Sequence, residues 1–134
     1  MEIHPQLLAD CHVLGKTESG VLLLHKNSQV LWLILVPDVL QTDLFAVEGP
    51  IRTRIFADCE KIAAIIRQWP GVEKLNFAAI GNVVPQLHLH LVGRHHADPC
   101  WPKPVWGNLP ESVPYRDEVL EELKTALQTV FVNE

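Results

Sequence analysis

Two apolar segments in the first third of the chain are typical of neighbouring strands. Val21–Leu24 is a short run of branched and aliphatic residues, and Val30–Val36 is apolar throughout until Pro37 ends it. A continuous apolar run of this length predicts a strand covered on both faces. Asn27 and Ser28, between the two runs, are residues that favour turns. The pattern therefore predicts a hairpin and, with it, an antiparallel sheet.

One long amphipathic helix is predicted next. Pro50 is tolerated in a first helical turn, where its missing N–H costs nothing, and Pro70 with Gly71 ends the periodic pattern. Between them a single apolar stripe recurs at helical spacing, at Ile55, Cys59, Ile62, Ile66 and Trp69. This spacing predicts a helix from near Ile51 to Trp69 that packs through one face. Residues 1–12 are predicted only as a helical turn or an edge strand.

Two further strands and a last helix are predicted in the second half of the chain. Lys74–Ile80 is the first of these strands, and Gln86–Val92 is the second. Alternate residues of a strand point to opposite faces, so the core face of the second strand holds Leu87, Leu89 and Leu91. Its other face holds Gln86, His88, His90 and Val92. A final helix begins at about Tyr115 and carries Val119, Leu123, Ala126 and Val130 on one side.

These elements predict an α+β fold. It has an antiparallel sheet of about five strands, one long helix packed on the sheet, and a C-terminal helix at about 115–131. The chain of 134 residues has the size of one domain. We therefore predict a single domain over residues 1–134, with its motif-bearing core at about 10–107.

Composition and charge narrow the function classes. An apolar fraction of 48%, with 20% charged residues, is that of an ordinary globular protein. The formal charge of −5 argues against a nucleic acid as the main partner, because a phosphate backbone favours a basic face. No signal peptide is visible at the N-terminus, and no apolar run is long enough to span a membrane. The three cysteines are far apart in sequence and form no CxxC pair, so we predict reduced thiols and a cytoplasmic protein.

The two histidines of the Gln86–Val92 strand are open to three interpretations. They could form a solvated strand face, which is the common role of polar residues that alternate along a strand. They could share a metal ion, although a third ligand would then be needed, and no acidic residue lies between Leu75 and Ala97. They could instead act on phosphorus. A neutral imidazole can form a covalent phosphoramidate that water then opens, while a second, protonated imidazole assists the leaving group.

The loop before this strand fits the third interpretation. Gly81 permits a close approach of the backbone, and the backbone N–H groups of Gly81 and Asn82 could cradle phosphate oxygens. Nucleophilic catalysis at phosphorus is the interpretation that uses every polar element of the segment.

The sequence Gln86-Leu87-His88-Leu89-His90-Leu91-Val92 resembles the motif of the histidine triad (HIT) superfamily, in which histidines alternate with apolar residues. Leu33–Pro37, Lys74–Pro85 and Asp98–Gly107 are also similar to segments of a bacterial HIT subgroup, in the same order. The resemblance covers roughly residues 10 to 107.

The resemblance implies a hydrolase or transferase acting at the α-phosphate of a nucleotide conjugate, a phosphoramidate or a dinucleoside polyphosphate. His88 matches the nucleophile, and His90 matches the histidine that contacts phosphate and assists the leaving group. No metal and no cofactor are implied. The partner is a small-molecule nucleotide, and members of this branch are commonly homodimers. In some of them a residue near the C-terminus reaches the partner's site, and Trp101 or Trp106 could do so here.

Four positions depart from the family pattern. Gln86 occupies the first triad position, and its amide cannot carry a proton at neutral pH. Val83 stands where many relatives have a hydroxyl that binds phosphate, and Trp32 where several have a further histidine. Asn27 lies near the position of an acidic residue that binds ribose. The predicted site is thus His88, His90 and Gln86 for catalysis, with Asn27, Gly81, Asn82, Val83 and Trp101 binding the nucleotide. The alternative is a nucleotide-binding protein with weak or no catalysis.

Overall fold

The computed structural model describes residues 1–133. Its helices are α1 (Pro5–Asp10), α2 (Gly49–Gln68) and α3 (Asp117–Ala126), with single 3-10 turns at Leu44–Ala46 and Gln128–Val130. Its strands are β1 (Cys11–Lys16), β2 (Gly20–His25), β3 (Leu31–Pro37), β4 (Lys74–Ala78) and β5 (Leu89–Arg94). Every pair of neighbouring strands is antiparallel. The predicted α+β architecture is therefore confirmed.

The sheet has the strand order β1-β2-β3-β5-β4. β3 lies at its centre, and all seven of its residues are buried, as the continuous apolar run predicts. The chain returns to pair β5 beside β3 only after α2 and β4, with Ile34 opposite His90 and Trp32 opposite Val92. This register places residues from widely separated parts of the sequence side by side on one face.

The main core lies on one face of the sheet, beneath α2. Ile55, Ile62 and Ile66 of the predicted stripe are fully buried there, against strand residues that include Leu33 and Leu91. The helix begins at Gly49, with Pro50 in its first turn. Burial of a large aliphatic side chain stabilises a fold by roughly 1.5–3 kcal/mol. This layer therefore determines which face of each strand packs against α2 and which face points to the other side of the sheet.

A smaller apolar cluster covers the opposite face. Trp32 and Val92 on the strands pack there with Leu7 from α1 and Val105 from the segment after β5. A short helix and the irregular segment after β5 cover this side. The side chains of His88 and His90 lie on this face with Trp32.

Three predicted elements need correction. β1 was predicted only as part of an uncertain helical turn or edge strand, whereas residues 1–12 contain α1 and the first residues of a true strand. The last strand begins at Leu89 instead of Gln86. In the register of β3 with β5, Leu87 would face Pro37, which has no N–H to donate to a ladder. The C-terminal helix is also shorter than predicted and ends at Ala126.

Candidate active site

His88 and His90 lie on the face of the sheet opposite α2. Leu89 and Leu91 are fully buried in the core under α2, and the alternation of the strand turns the two imidazoles to the other side. His88 is only 7% exposed and His90 only 5%. The interpretation of this row as a solvated strand face is therefore wrong.

The backbone fixes the tautomer of His88. Its Nδ1 lies 2.7 Å from the carbonyl oxygen of Gln86. Because a carbonyl oxygen only accepts hydrogen bonds, Nδ1 must carry the proton and donate it. Nε2 of the neutral ring then holds a free lone pair, which is the form a nucleophile needs.

The opposite tautomer is imposed on His90. The indole Nε1 of Trp32, a group that can only donate, lies 3.0 Å from Nδ1 of His90. Nδ1 therefore accepts, and the proton of the neutral ring resides on Nε2. Burial, followed by repulsion from His88 and His25, lowers the pKa of His90 to about 3. At neutral pH this imidazole is an uncharged hydrogen-bond donor, in contrast to the protonated imidazole considered from the sequence.

Five rings form a continuous aromatic row on this face. His25 stacks on Trp32 with ring centroids 4.1 Å apart and planes at 7°. The ring of His90 lies 5.8 Å from Trp32, and the ring of His88 lies 4.9 Å from His90. Trp106 meets His90 edge-on, with the ring centroids 5.0 Å apart. Burial also lowers the pKa of His25, so the row contains a second imidazole that favours the neutral form.

A cavity of about 380 Å³ opens beside this row. Its size falls within the range of small-molecule sites. All five rings of the aromatic row line this cavity: His25, Trp32, His88, His90 and Trp106. The other lining residues are Gln6, Leu7, Asp10, Cys11, Ile34, Ile80, Gly81, Asn82, Val83 and Val84. The cavity thus combines apolar walls with a few polar groups at defined places.

The structure brings the predicted loop to the two histidines. Gly81, Asn82 and Val83 all line the cavity with His88 and His90. Gly81 has a φ of +70°, a left-handed conformation that a side chain disfavours. Val83 is 88% exposed and offers an apolar side chain at the rim.

Gln86 is positioned differently from the histidines. Its side-chain oxygen accepts a hydrogen bond from the backbone N–H of His4 (2.8 Å), and its amide nitrogen donates to the carbonyl of Glu2 (2.9 Å). The side chain thus ties the N-terminal segment to the residue whose carbonyl holds His88. Gln86 is not among the residues that line the cavity.

Asn27 and Trp101 also lie outside the cavity lining. The side-chain oxygen of Asn27 accepts hydrogen bonds from Gln29 and from the backbone N–H of Val113, so it fastens the C-terminal segment to the β2–β3 turn. Trp101 packs against His96, with ring centroids 4.5 Å apart. Trp106, five residues further on, is the tryptophan that reaches the histidines.

A buried arginine holds the segment that carries Trp106. Arg94 is 1% exposed, and its guanidinium contacts both carboxylate oxygens of Asp98 at 2.6 and 3.1 Å. It also donates to the side chain of Asn76 and to the carbonyl of Lys103. The arginine lowers the pKa of Asp98 against the effect of burial, to about 2. The ion pair joins the end of β5 to the segment that forms one wall of the cavity.

Trp32, His25 and Arg94 were not identified as site residues from the sequence. Trp32 was noted only as a departure from the family pattern, and His25 was assigned no role. A signal for Trp32 was available, because it shares strand parity with Ile34, the residue paired with His90. That parity becomes informative only when the register between β3 and β5 is known.

Comparison with known proteins agrees with this geometry. The sequence matches the HIT domain family over residues 6–97, which is more than half of the chain. The chain belongs to the HIT family. None of the curated proteins matches it significantly.

Solved HIT structures cover almost all of this chain. A histidine triad protein from Marinobacter aquaeolei is 36% identical, with a TM-score of 0.88 and coverage of 97% of this chain and 95% of the other. One from Bradyrhizobium japonicum is 26% identical, with a TM-score of 0.90 and 98% of each chain covered. One from Sinorhizobium meliloti is 27% identical, with a TM-score of 0.89 and coverage of 97% and 96%. The resemblance inferred from the motif is confirmed.

Two further properties of the described chain bear on the earlier interpretations. Across residues 1–133, no three His, Cys, Asp or Glu side chains are grouped as metal ligands would be. Within the same range, no helix has the length and apolar character needed to cross a bilayer.

Proposed function

We propose that this HIT protein transfers the nucleotidyl group of a nucleotide conjugate to water through a covalent nucleotidyl–His88 intermediate. The observation that supports this most directly is the hydrogen bond of 2.7 Å between Nδ1 of His88 and the carbonyl of Gln86. In the neutral ring this bond keeps the proton on Nδ1 and leaves the lone pair of Nε2 free, and the ring lines the cavity. Membership of the HIT family supports a nucleotide as the ligand.

His88 would attack the α-phosphorus with its Nε2 lone pair. As the N–P bond forms, the bond from the α-phosphorus to the leaving group breaks, and the leaving group departs with that electron pair. The ring becomes cationic, and the hydrogen bond from Nδ1 to the Gln86 carbonyl strengthens with that charge. The hydrogen bond is therefore worth more in the transition state than in the resting enzyme, which is the condition for catalysis. Water then attacks phosphorus, the N–P bond breaks, and its electron pair returns to Nε2.

His90 and the Gly81–Val83 loop would stabilise the phosphate. His90 presents its proton on Nε2 and can donate it as a hydrogen bond to a phosphate oxygen or to the leaving atom. The loop contributes backbone N–H groups, as loops that bind phosphate do. Because His90 stays neutral above a pKa of about 3, it provides this donor without a net charge.

The test uses two nucleotide conjugates in the presence of a chelator. The protein is mixed with diadenosine tetraphosphate or with adenosine 5′-phosphoramidate, release of AMP is followed, and the adduct is sought by mass spectrometry at alkaline pH. We expect turnover, an adduct mapped to His88, and loss of both in His88→Ala. His12→Ala, which removes an imidazole from β1, is the matched control and should retain activity. Turnover by His88→Ala equal to that of the wild type would rule out the mechanism.

A second candidate function is nucleotide binding without turnover. Two observations favour it: the side chain of Gln86 is bonded to the N-terminal backbone, and Val83 brings no hydroxyl to the cavity. Calorimetry with AMP and GMP distinguishes the candidates. Binding of either nucleotide, with no AMP released from any conjugate and no adduct, would support this second function.

We also propose that the protein is a homodimer. β4 is an edge strand of the sheet, and beside it a second cavity of about 690 Å³ is lined by Phe45, Phe56 and Phe77. Phe45 is 87% exposed, Phe77 44% and Phe56 36%, and a group of exposed apolar side chains is typical of a protein–protein interface. Light scattering should show a dimer that Phe77→Glu dissociates. Val13→Glu on the opposite edge strand should remain dimeric, and a monomeric wild type would contradict the proposal.

A cytoplasmic location stays a prediction from the sequence.

A further inference from the structure

The side chains that surround His88 share a chemical property that bears on the choice of substrate. His90, Gln86 and Cys11 are all poor proton donors at neutral pH. We propose that the site selects nucleotide conjugates whose leaving group departs as an anion, such as phosphoanhydrides, over phosphoramidates, because Trp32 commits His90 to hydrogen-bond donation. This inference rests on the proposed nucleotidyl transfer through His88.

Trp32 is the residue that removes His90 from acid catalysis. For His90 to act as an acid at neutral pH, it would have to hold protons on both ring nitrogens. The indole N–H of Trp32 occupies Nδ1 at 3.0 Å, and a second proton there would face a donor that cannot turn into an acceptor. Trp32 is 7% exposed and is fixed in place by its stack on His25. The donor therefore has no free rotation by which to make room.

The neighbouring imidazoles oppose protonation of His90 as well. Its pKa is lowered by burial and by the charges of His88 and His25. Within the described chain, no carboxylate contributes to that shift. Asp10 acts on Cys11 and His25, at the far end of the aromatic row from His88. A protonated His90 would therefore have no carboxylate beside its ring to balance the positive charge.

The other candidate donors are also poor acids. Gln86 stands where a further imidazole would be in the family pattern, and its amide holds no transferable proton. Cys11 lines the cavity, but burial and Asp10 raise the pKa of its thiol to about 12. Within the described chain, the side chains that line this cavity therefore offer the reaction at His88 no efficient proton donor.

Leaving groups differ in how much they need such a donor. With an anhydride, the His88 Nε2–P bond forms, the P–O bond breaks, and the leaving phosphate takes the electron pair as a stable anion without any proton. With a phosphoramidate, the P–N bond breaks, and the amine must be protonated before or during its departure because the amide anion is far too basic. Water then opens the N–P bond of the intermediate in both cases and releases its proton to solvent. Loss of general acid catalysis typically costs 10²- to 10⁴-fold, and only the second substrate bears that loss.

The experiment compares diadenosine tetraphosphate with adenosine 5′-phosphoramidate by kcat/KM between pH 5 and 8. For the wild type we expect the tetraphosphate to be preferred by about 10²-fold or more, with little change in the ratio across this range. In Trp32→Phe, Nδ1 of His90 no longer faces a donor, although burial still lowers the pKa of the ring. The ratio should therefore shift toward the phosphoramidate at the acidic end of this range, near pH 5. Trp69→Phe removes an indole from the end of α2, outside the cavity, and should keep the wild-type ratio.

The tautomer of His90 can be read independently of activity. Nitrogen-15 NMR of the wild type should show protonated Nε2 and unprotonated Nδ1 at pH 6, and this measurement stands even where Trp32→Phe fails to fold. A doubly protonated His90 at pH 6, or equal turnover of the two substrates, would overturn the inference while leaving nucleotidyl transfer intact. Absence of turnover and of any His88 adduct with both substrates would refute the proposed function, and the inference with it.

Discussion

Replacing His90 by Gln should remove much of the acid sensitivity of the fold. His90 is buried as a neutral ring, with a pKa of about 3 in the folded chain against 6.5 for an ordinary histidine. Below pH 6.5 the unfolded state therefore binds a proton that the folded state does not bind. Acid then favours unfolding, and above pH 6.5 the titration of this residue adds no pH dependence to the free energy of unfolding.

The size of the effect follows from the two pKa values. At pH 5 an unfolded histidine is almost fully protonated, whereas folded His90 is neutral. Each pH unit below 6.5 costs about 1.4 kcal/mol, so acidification from pH 7 to pH 5 should remove about 2 kcal/mol through this residue. Asp98, whose pKa is about 2, loses its contribution only at lower pH. The pKa of His25 is also lowered, so His25 also reduces the free energy of unfolding in acid. This reduction is the same in the wild type and the variant.

Urea denaturation followed by circular dichroism measures this difference. We compare the free energy of unfolding of the wild type and His90→Gln at pH 7 and pH 5. The glutamine can still accept the hydrogen bond from Trp32 but cannot titrate. The wild type should lose about 2 kcal/mol more than the variant. His12→Gln on β1 should retain the extra loss that is due to His90. Equal losses in the wild type and His90→Gln would refute the assignment of His90 as a buried neutral imidazole.

Three further substitutions test the surroundings of the site. Arg94→Met leaves the carboxylate of Asp98 buried without its partner and should cost about 3–5 kcal/mol of unfolding free energy in urea; a loss below about 1 kcal/mol would mean that the ion pair is not buried. Asn27→Ala removes the acceptor of the Val113 N–H and should cost about 1–3 kcal/mol in the same assay, whereas an unchanged midpoint would contradict that contact. Gly81→Ala forces a side chain into a left-handed conformation at a cost of about 1–2 kcal/mol, and calorimetry should show weaker binding of AMP; unchanged affinity would show that the conformation of Gly81 is not needed.

The fold followed from local signals wherever a segment carried a clear period. The apolar run of β3 and the stripe of α2 each predicted their element, because burial on two faces or on one face leaves a distinct spacing. β1 carries no such pattern, since Cys-His-Val-Leu-Gly-Lys mixes polar and apolar residues on a partly exposed edge strand. Its pairing with β2 comes from backbone hydrogen bonds, which the side-chain pattern does not report.

The candidate site could be predicted only in part. His88 and His90 could be predicted because both lie within one motif. Trp32 and Trp106 were not assigned to this wall of the cavity, because their contacts depend on strand register and on where an irregular segment folds back. The three positions that were expected to bind or catalyse and lie outside the cavity lining, Asn27, Gln86 and Trp101, all have backbone or packing partners that a linear motif cannot indicate.

The hydrogen bond from Trp32 to His90 joins residues 58 positions apart, and this separation has a consequence during synthesis on the ribosome. A nascent chain that has not yet paired its central strand with the later one contains ordinary histidines, whose protons exchange freely between both nitrogens. Reactivity toward nucleotides should therefore emerge only when that late pairing is complete. The rate at which turnover recovers after dilution from denaturant should then equal the rate of the last folding step.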